Sequence, residues 1–374
     1  MTGSGPEYKF IQQITEDISH IILNGRQIFV AKYLVGVGSR AKAIESLLDI
    51  KVNDVRMVGI HGLGGIGKTT IAKAVYNRIF EHFEESCFLE NVRENSETDD
   101  SIIQLQEKLL SNLSRGKHLK VERVAHGINM IRETLQSKRV LLILDDVDKS
   151  KQIQNLCGNC DWFASGSRVL ITTRDSQLLA ILGKNCTIYK VKELDEHEAL
   201  ELFNQYAFRG NKLVEDYFEL ANQVIQYTRG LPLALIMIGS DLCGRTISEW
   251  ESAIDKYGKI LNRDIYTRLK VSYDGLEERE KDIFLNIACF FNGRNNNYVE
   301  NILDACNLYP RYGIPNLVNK CLITIGHDGI LWMHDLVEQM GREIVRQESP
   351  KILNERSRIW HYEDALKVLT GSKV

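Results

Sequence analysis

The sequence predicts an α/β fold, a parallel sheet with helices on both faces, followed by a helical domain and a winged-helix domain. A glycine-rich loop, Gly62-Leu-Gly-Gly-Ile-Gly67-Lys68-Thr69-Thr70, follows the apolar run Val55-Arg-Met-Val-Gly-Ile60 and opens a helical pattern. Short apolar runs then alternate with amphipathic stretches to about Leu194, the pattern of a parallel sheet covered by crossover helices. Beyond that point helical periodicity takes over, and a small hairpin pattern appears only near residues 322–333.

The elements follow in order. Residues 1–33 hold a helix-like stretch with Phe10, Ile11, Ile14, Ile18, Ile21 and Ile22 at three-to-four spacing, and 1–5 read as a cloning scar. A helix over 40–50, with Ser39 as its N-cap, leads into the first strand. Strands are predicted at 55–60, 87–91, 139–144, 168–172 and, with a thinner pattern, 187–191; helices are predicted at 68–80, 102–113 and 125–135. The α/β domain therefore covers 34–194. A helical domain over 195–293 has helices at 196–208, 215–227, 232–243, 249–261 and 278–291, one of them opened by Pro232 at a tolerated first-turn position. Two helices, strands at 322–325 and 330–333 and a helix at 335–346 make 294–374 the winged-helix domain.

The glycine-rich loop carries the chemistry. Its G-x-x-x-x-G-K-[ST] spacing lets Gly62, Gly64, Gly65 and Gly67 close backbone N–H groups around phosphate oxygens with no Cβ in the way. Lys68 supplies a point charge for the β- and γ-phosphates, and the Thr69 hydroxyl is a Mg²⁺ ligand. The positive end of the following helix faces the same phosphates. The letters Gly62-x-Gly64-x-x-Gly67 also fit a dinucleotide fingerprint, with Glu90 near the place of a ribose-binding acid. Two features decide against it: Lys68-Thr69 has no task on a pyrophosphate bridge, and a second acidic strand, Arg139-Val-Leu-Leu-Ile-Leu-Asp145-Asp146, follows. That run suits a buried parallel strand, and a carboxylate at its end holds Mg²⁺ through water, as in a Walker B element. The expected ligands are ADP or ATP, with Mg²⁺ accompanying ATP.

Composition excludes several classes. An apolar share of 44% and a charged share of 26% are those of an ordinary globular chain, and a net charge of −3 offers no field for nucleic acid or anionic lipid. No apolar run approaches the ~18 residues of a membrane span, and the N-terminus lacks a secretion pattern. The eight cysteines are scattered, Cys157-Gly-Asn-Cys160 has no second pair to complete a zinc site, and the sequons at Asn112 and Asn185 read as chance matches. The expected compartment is reducing cytosol or nucleus.

Over about residues 33–365 these motifs, in this order, resemble the NB-ARC module of plant intracellular immune receptors, in the version that accompanies a TIR domain. Leu34-Val-Gly36 resembles the entry motif that frames adenine, and Phe88-Leu-Glu-Asn-Val-Arg93 and Leu141-Leu-Ile-Leu-Asp145-Asp146-Val-Asp148 resemble TIR-class motifs, the coiled-coil class having Trp where Asp148 stands. Gly166–Arg174 resembles the sensor strand, Gly230-Leu-Pro-Leu-Ala234 the GLPLA motif, Phe284–Phe291 a further TIR-class signature and Met333-His334-Asp335 the MHD motif. Gly38 departs from the family, which tends to carry an acid there.

The resemblance implies a disease-resistance switch that is closed and autoinhibited with ADP and opens on exchange for ATP, driving self-association and immune signalling. It assigns nucleotide contacts to Val35, Gly36, Gly62, Gly64, Gly65, Ile66, Gly67, Lys68, Thr69, Thr70, Arg174, Pro232, Leu233 and His334. Arg174 would sense the γ-phosphate, Pro232 would lie against adenine or ribose, and His334 would reach the β-phosphate of ADP while Asp335 caps its helix. Thr69 and Asp145 would hold Mg²⁺, and Asp146 would act as base or position water. With no second arginine readable as a finger in cis, at most slow ATP hydrolysis is expected. The module's own TIR and leucine-rich-repeat domains are absent from this chain; in a full receptor the TIR domain can carry NADase activity. The rival readings are a working ATPase or remodeller and a nucleotide-gated DNA-binding regulator. The predicted helix at 335–346 mixes Glu338 and Glu343 with Arg342 and Arg346, so it is a poor groove reader.

Overall fold

The computed structural model describes residues 27–114, 119–209 and 215–370. The helix expected around 10–22 and the scar at 1–5 lie outside the described residues. The chain forms two compact units: Met1–Val58, Thr69–Thr172 and Leu182–Thr187 make one, and Gly59–Lys68, Thr173–Ile181 and Ile188–Val374 the other.

Five strands, β1 (Arg56–His61), β2 (Glu85–Leu89), β3 (Val140–Val147), β4 (Arg168–Thr173) and β5 (Cys186–Lys190), form one sheet in the order β2-β3-β4-β1-β5. β2 and β3 run parallel, from Glu85 opposite Val140 to Leu89 opposite Leu144. Every residue of β3 except Asp146 is buried, which is why it reads as one unbroken apolar run. Parallel neighbours require crossovers, and helices α1 (Val37–Leu48), α2 (Lys68–Ile79), α3 (Asp99–Leu113), α4 (Val124–Gln136) and α5 (Ser150–Leu156) intervene along the chain. Thr98 and Ser101 close a capping box at the start of α3, with Thr98 Oγ1 accepting from the Ser101 N–H at 3.2 Å. The N-cap of α1 is Gly36, at φ 67°, and not Ser39. Ser39 lies inside the first turn, where its hydroxyl donates back to the Gly36 carbonyl at 3.2 Å. A buried cation ties down the turn after α1: the Arg168 guanidinium donates to the Asp49 and Val52 carbonyls at 2.6 Å each.

The second unit continues through α6 (Gln177–Ala180), α7 (Glu196–Ala207), α8 (Phe218–Thr228), α9 (Pro232–Leu242), α10 (Ile247–Lys259), α11 (Arg263–Asp274) and α12 (Glu278–Asn286). α7 packs on α9, and Trp250 of α10 is buried among Phe203, Phe208 and Tyr217 with its indole N–H on the Leu242 carbonyl at 2.9 Å. α12 does not run on to Phe291 as expected: a π-helical turn occupies Ile287–Phe291. Helices α13 (Asn296–Ala305) and α14 (Pro310–Asn319) precede an antiparallel hairpin, β6 (Thr324–Ile325) with β7 (Leu331–Trp332). α15 (Asp335–Glu348) follows, then α16 (Tyr362–Thr370), which the sequence pattern did not announce.

Candidate functional site

In the second unit β1 ends at buried His61 and hands the chain to the glycine-rich loop. Gly65 and Gly67 have φ of +83° and +96°, a region a Cβ disfavours. A Cβ on Gly65 would also stand 2.6 Å from the Leu233 Cβ. The start of α9 docks here: Pro232 is in its first turn, and the Leu233 N–H donates to the Gly65 carbonyl at 3.2 Å. Lys68 is buried, with Nζ donating to the Gly62 and Leu63 carbonyls at 2.8 and 3.0 Å, so its ammonium is wrapped by its own loop. Arg174 closes the opposite side. Its Nη1 donates to the Arg268 carbonyl at 2.8 Å, and a Cβ on Gly64 would stand 2.8 Å from that nitrogen.

In the first unit Thr69 and Thr70 open the first turn of α2, and Asp145 is fully buried. Three oxygens converge: the Thr69 hydroxyl donates to Asp145 Oδ1 at 2.9 Å, and the Thr172 hydroxyl donates to the same atom at 2.7 Å. A hydroxyl and a carboxylate oxygen so close are hard donors of the kind Mg²⁺ takes, so the chemistry of this pair fits such an ion. Asp146, at φ 57°, turns elsewhere: its N–H donates to Thr172 Oγ1 at 2.8 Å and its carboxylate accepts from Arg93 Nε at 2.8 Å. Val35 and Gly36 lie in the entry to α1, the Gly36 carbonyl accepting from Arg40 at 2.7 Å. The Lys68–Thr69 peptide bond is the covalent link from this set to the loop.

His334 is the N-cap of α15, and this corrects the expected cap at Asp335. The imidazole Nδ1 accepts the Leu336 N–H at 3.2 Å, while Asp335 pairs with Arg229 at 2.7 Å. Burial pushes the His334 pKa below 6.5, against the opposing pull of Glu193, Asp335 and the Thr228 carbonyl. In the neutral ring an accepting Nδ1 leaves the proton on Nε2. That Nε2–H is buried and makes no hydrogen bond of ordinary geometry, with only the Thr228 carbonyl acting on the ring as an acceptor, and an under-satisfied buried donor costs ~1–3 kcal/mol. His334 lines a cavity of about 560 Å³ together with Gly62, Leu63, Lys190, Lys192, Glu193 and Arg229, three cations against one carboxylate. An under-satisfied donor, loop residues and an excess of cations on one cavity suit an anionic ligand.

Arg93, Thr172, Arg229 and the Arg268 carbonyl were not among the expected site groups. Arg93 and Thr172 lie inside quoted motifs, and Arg229 immediately precedes Gly230, but no local spacing names their partners. Among the described residues no group of three His, Cys, Asp or Glu side chains is arranged to hold a metal. Cys157 and Cys160 are free thiols, and no helix among the described residues is long and apolar enough to cross a membrane.

An NB-ARC domain model matches residues 39–213, and the model of the winged-helix domain of Roq1-like disease resistance proteins matches 277–349. The disease resistance protein RUN1 of Vitis rotundifolia is 44% identical over 370 residues, covering 99% of this chain and 28% of that protein. The TMV resistance protein N of Nicotiana glutinosa is 38% identical, covering 97% of this chain and 31% of its own length. This chain thus spans less than a third of either relative. Among solved structures it is similar to the Walker-type ATPase of Pyrococcus abyssi, with a TM-score of 0.57 at 13% identity over 82% of this chain and 96% of that one. It is also similar to the Aeropyrum pernix ORC2 protein, with a TM-score of 0.52 at 14% identity over 85% and 96% of the two chains. At such identities these likenesses show a shared P-loop ATPase fold and nothing more.

Proposed function

Since the chain belongs to the NB-ARC proteins of plant disease resistance and carries a Roq1-like winged-helix domain, we propose that it is the ADP/ATP switch of such a receptor. The observation that carries this reading is the buried, under-satisfied Nε2–H of His334 on the cavity that Gly62 and Leu63 also line. A terminal phosphate oxygen is the well-aligned acceptor that donor lacks. Lys68 exchanges its loop carbonyls for phosphate oxygens, and Leu233, hydrogen-bonded to the Gly65 backbone, transmits the loop's position to α9. Mg²⁺ would supply charge neutralisation of the phosphates at Thr69 and Asp145.

A diphosphate contacted by the loop, α9 and His334 stabilises one closed arrangement. A triphosphate adds charge and bulk beside Arg174, and a ligand shifts such an equilibrium only through its differential affinity. Moving from 1:99 to 99:1 takes ~5.5 kcal/mol. One charged hydrogen bond contributes ~1.5–3 kcal/mol, so loss of the His334 contact with some packing suffices. In the receptor, opening would release self-association and defence signalling, with TIR and leucine-rich-repeat domains as the partners in the same polypeptide.

The test is the nucleotide carried by the freshly purified protein, released by heat and resolved by anion exchange. About one ADP per chain is expected, and a His334→Ala protein should exchange it for ATP faster. An empty site, or bound ATP with rapid turnover, would overturn the reading.

A further inference from the structure

We infer that the turn Asn319-Lys320-Cys321 is a latch by which the winged-helix region holds the end of the sensor strand, so that ADP retention depends on the Asp175–Lys320 ion pair. The inference rests on the switch reading above.

The contacts are dense and mutually reinforcing. Asn319 is a hub: its carbonyl lies 2.9 Å from His61 Nε2 and accepts the Ser176 N–H at 3.1 Å, while its Oδ1 accepts the Ser176 hydroxyl at 3.2 Å. Lys320 Nζ donates to Asp175 Oδ2 at 2.9 Å, with the two side chains only 25% and 16% exposed. The other Asp175 oxygen accepts the Gln177 N–H at 2.9 Å, so the carboxylate is held at both ends. Cys321, at φ 56°, brings its Sγ to 3.0 Å from His61 Nε2. One turn therefore grips both the residue that opens the phosphate loop and the two residues that follow Arg174.

The position explains what it would sense. Arg174 spends its Nη1 on the Arg268 carbonyl at 2.8 Å. Drawing that guanidinium to an added phosphate must break this bond, and Asp175 and Ser176 are the next residues, each Cα only ~3.8 Å further along the chain. Movement at Arg174 is thus delivered directly to the Lys320 and Asn319 contacts. A diphosphate leaves the latch closed, and a triphosphate works against it.

A double-mutant cycle on the whole chain tests this. Asp175→Asn keeps the acceptor for Gln177 while removing the charge, and Lys320→Ala removes the partner. Each single variant should release ADP about tenfold faster, the size of one charge-assisted bond, with ATP affinity unchanged. The double variant should be no faster than either single. Additive effects, unaltered ADP release, or equal weakening of ADP and ATP would overturn the latch. Should the unmodified protein hold no nucleotide, the switch reading fails by itself. Amide exchange across 319–325 then decides the latch: faster exchange in both singles without additivity sustains it, and unchanged exchange overturns it.

Discussion

At the scale of single residues, His61 and His334 face the same physical problem with different partners. Burial lowers both pKa values below 6.5. His61 meets the Asn319 carbonyl, whereas His334 uses one nitrogen as a helix cap and leaves the other with no well-aligned partner, only the Thr228 carbonyl acting on it. The sign of the pH effect follows by linkage. The unfolded chain takes up protons on these rings near pH 6.5, while the folded chain resists until the pH falls through its lower values. Their contribution to stability is therefore complete above about pH 6.5 and is lost as the pH falls from there towards the folded pKa values, at ~1.36 kcal/mol per unit of difference. The nucleotide-free protein should melt at progressively lower temperature between about pH 7 and pH 5.5. His334→Asn retains an N-cap acceptor but cannot titrate, so it should flatten that slope without lowering the midpoint at neutral pH. An unchanged slope would mean that the ring is not held neutral in the folded state.

At the scale of elements, the close approach of α15 to the π-helical turn makes a prediction whose sign depends on magnitude. An alanine at Gly341 would gain ~1 kcal/mol of helix propensity. Its Cβ, however, would stand 2.6 Å from the Ala288 Cβ and 3.1 Å from the Phe284 ring. Neither neighbour is a flexible side-chain end, and overpacking of this kind costs ~1–3 kcal/mol. Gly341→Ala should therefore lower the melting midpoint, and adding Ala288→Gly should restore most of it; a stabilised single variant would contradict the packing described. The same place shows where local pattern stops being readable. Periodicity in residues 278–291 implies one straight helix, but the Ala288 carbonyl accepts from Arg342 Nε at 3.1 Å, a partner from α15 that no local window contains. α11 is a different case. Asn262 caps it, accepting the Asp264 N–H at 2.9 Å, and Ile265, Leu269 and Tyr273 are buried at helical spacing. That signal was present and was diluted by the surrounding charges. Strands β1, β3 and β4 were legible within a residue or three because burial on both faces leaves an apolar run that little else produces.

At the scale of the whole molecule, the phosphate loop was legible because consecutive residues impose its backbone geometry, whereas its checks on reactivity come from residues far apart in sequence. The Arg93–Asp146 pair is the instance that matters most for turnover. A carboxylate held at 2.8 Å by a guanidinium has an oxygen committed to that pair and must leave it before it can orient a water molecule. Arg174 is committed to the Arg268 carbonyl, so stabilising charge in a phosphoryl transition state requires it to leave that bond first. If Asp146 and Arg174 have the roles proposed for them, both features would restrain hydrolysis, and unassisted nucleotide hydrolysis on a P-loop runs at ~10⁻⁴–10⁻³ s⁻¹. The isolated chain should therefore turn ATP over far below ~1 s⁻¹, at a rate independent of protein concentration. Arg93→Ala should raise that rate if Asp146 is the restrained base, and Asp146→Asn should abolish the gain. Steady-state phosphate release across a concentration series separates the cases. A rate above ~1 s⁻¹, or one that climbs with concentration, would require an arginine supplied by a neighbouring copy and would make the protein a motor rather than a slowly resetting switch.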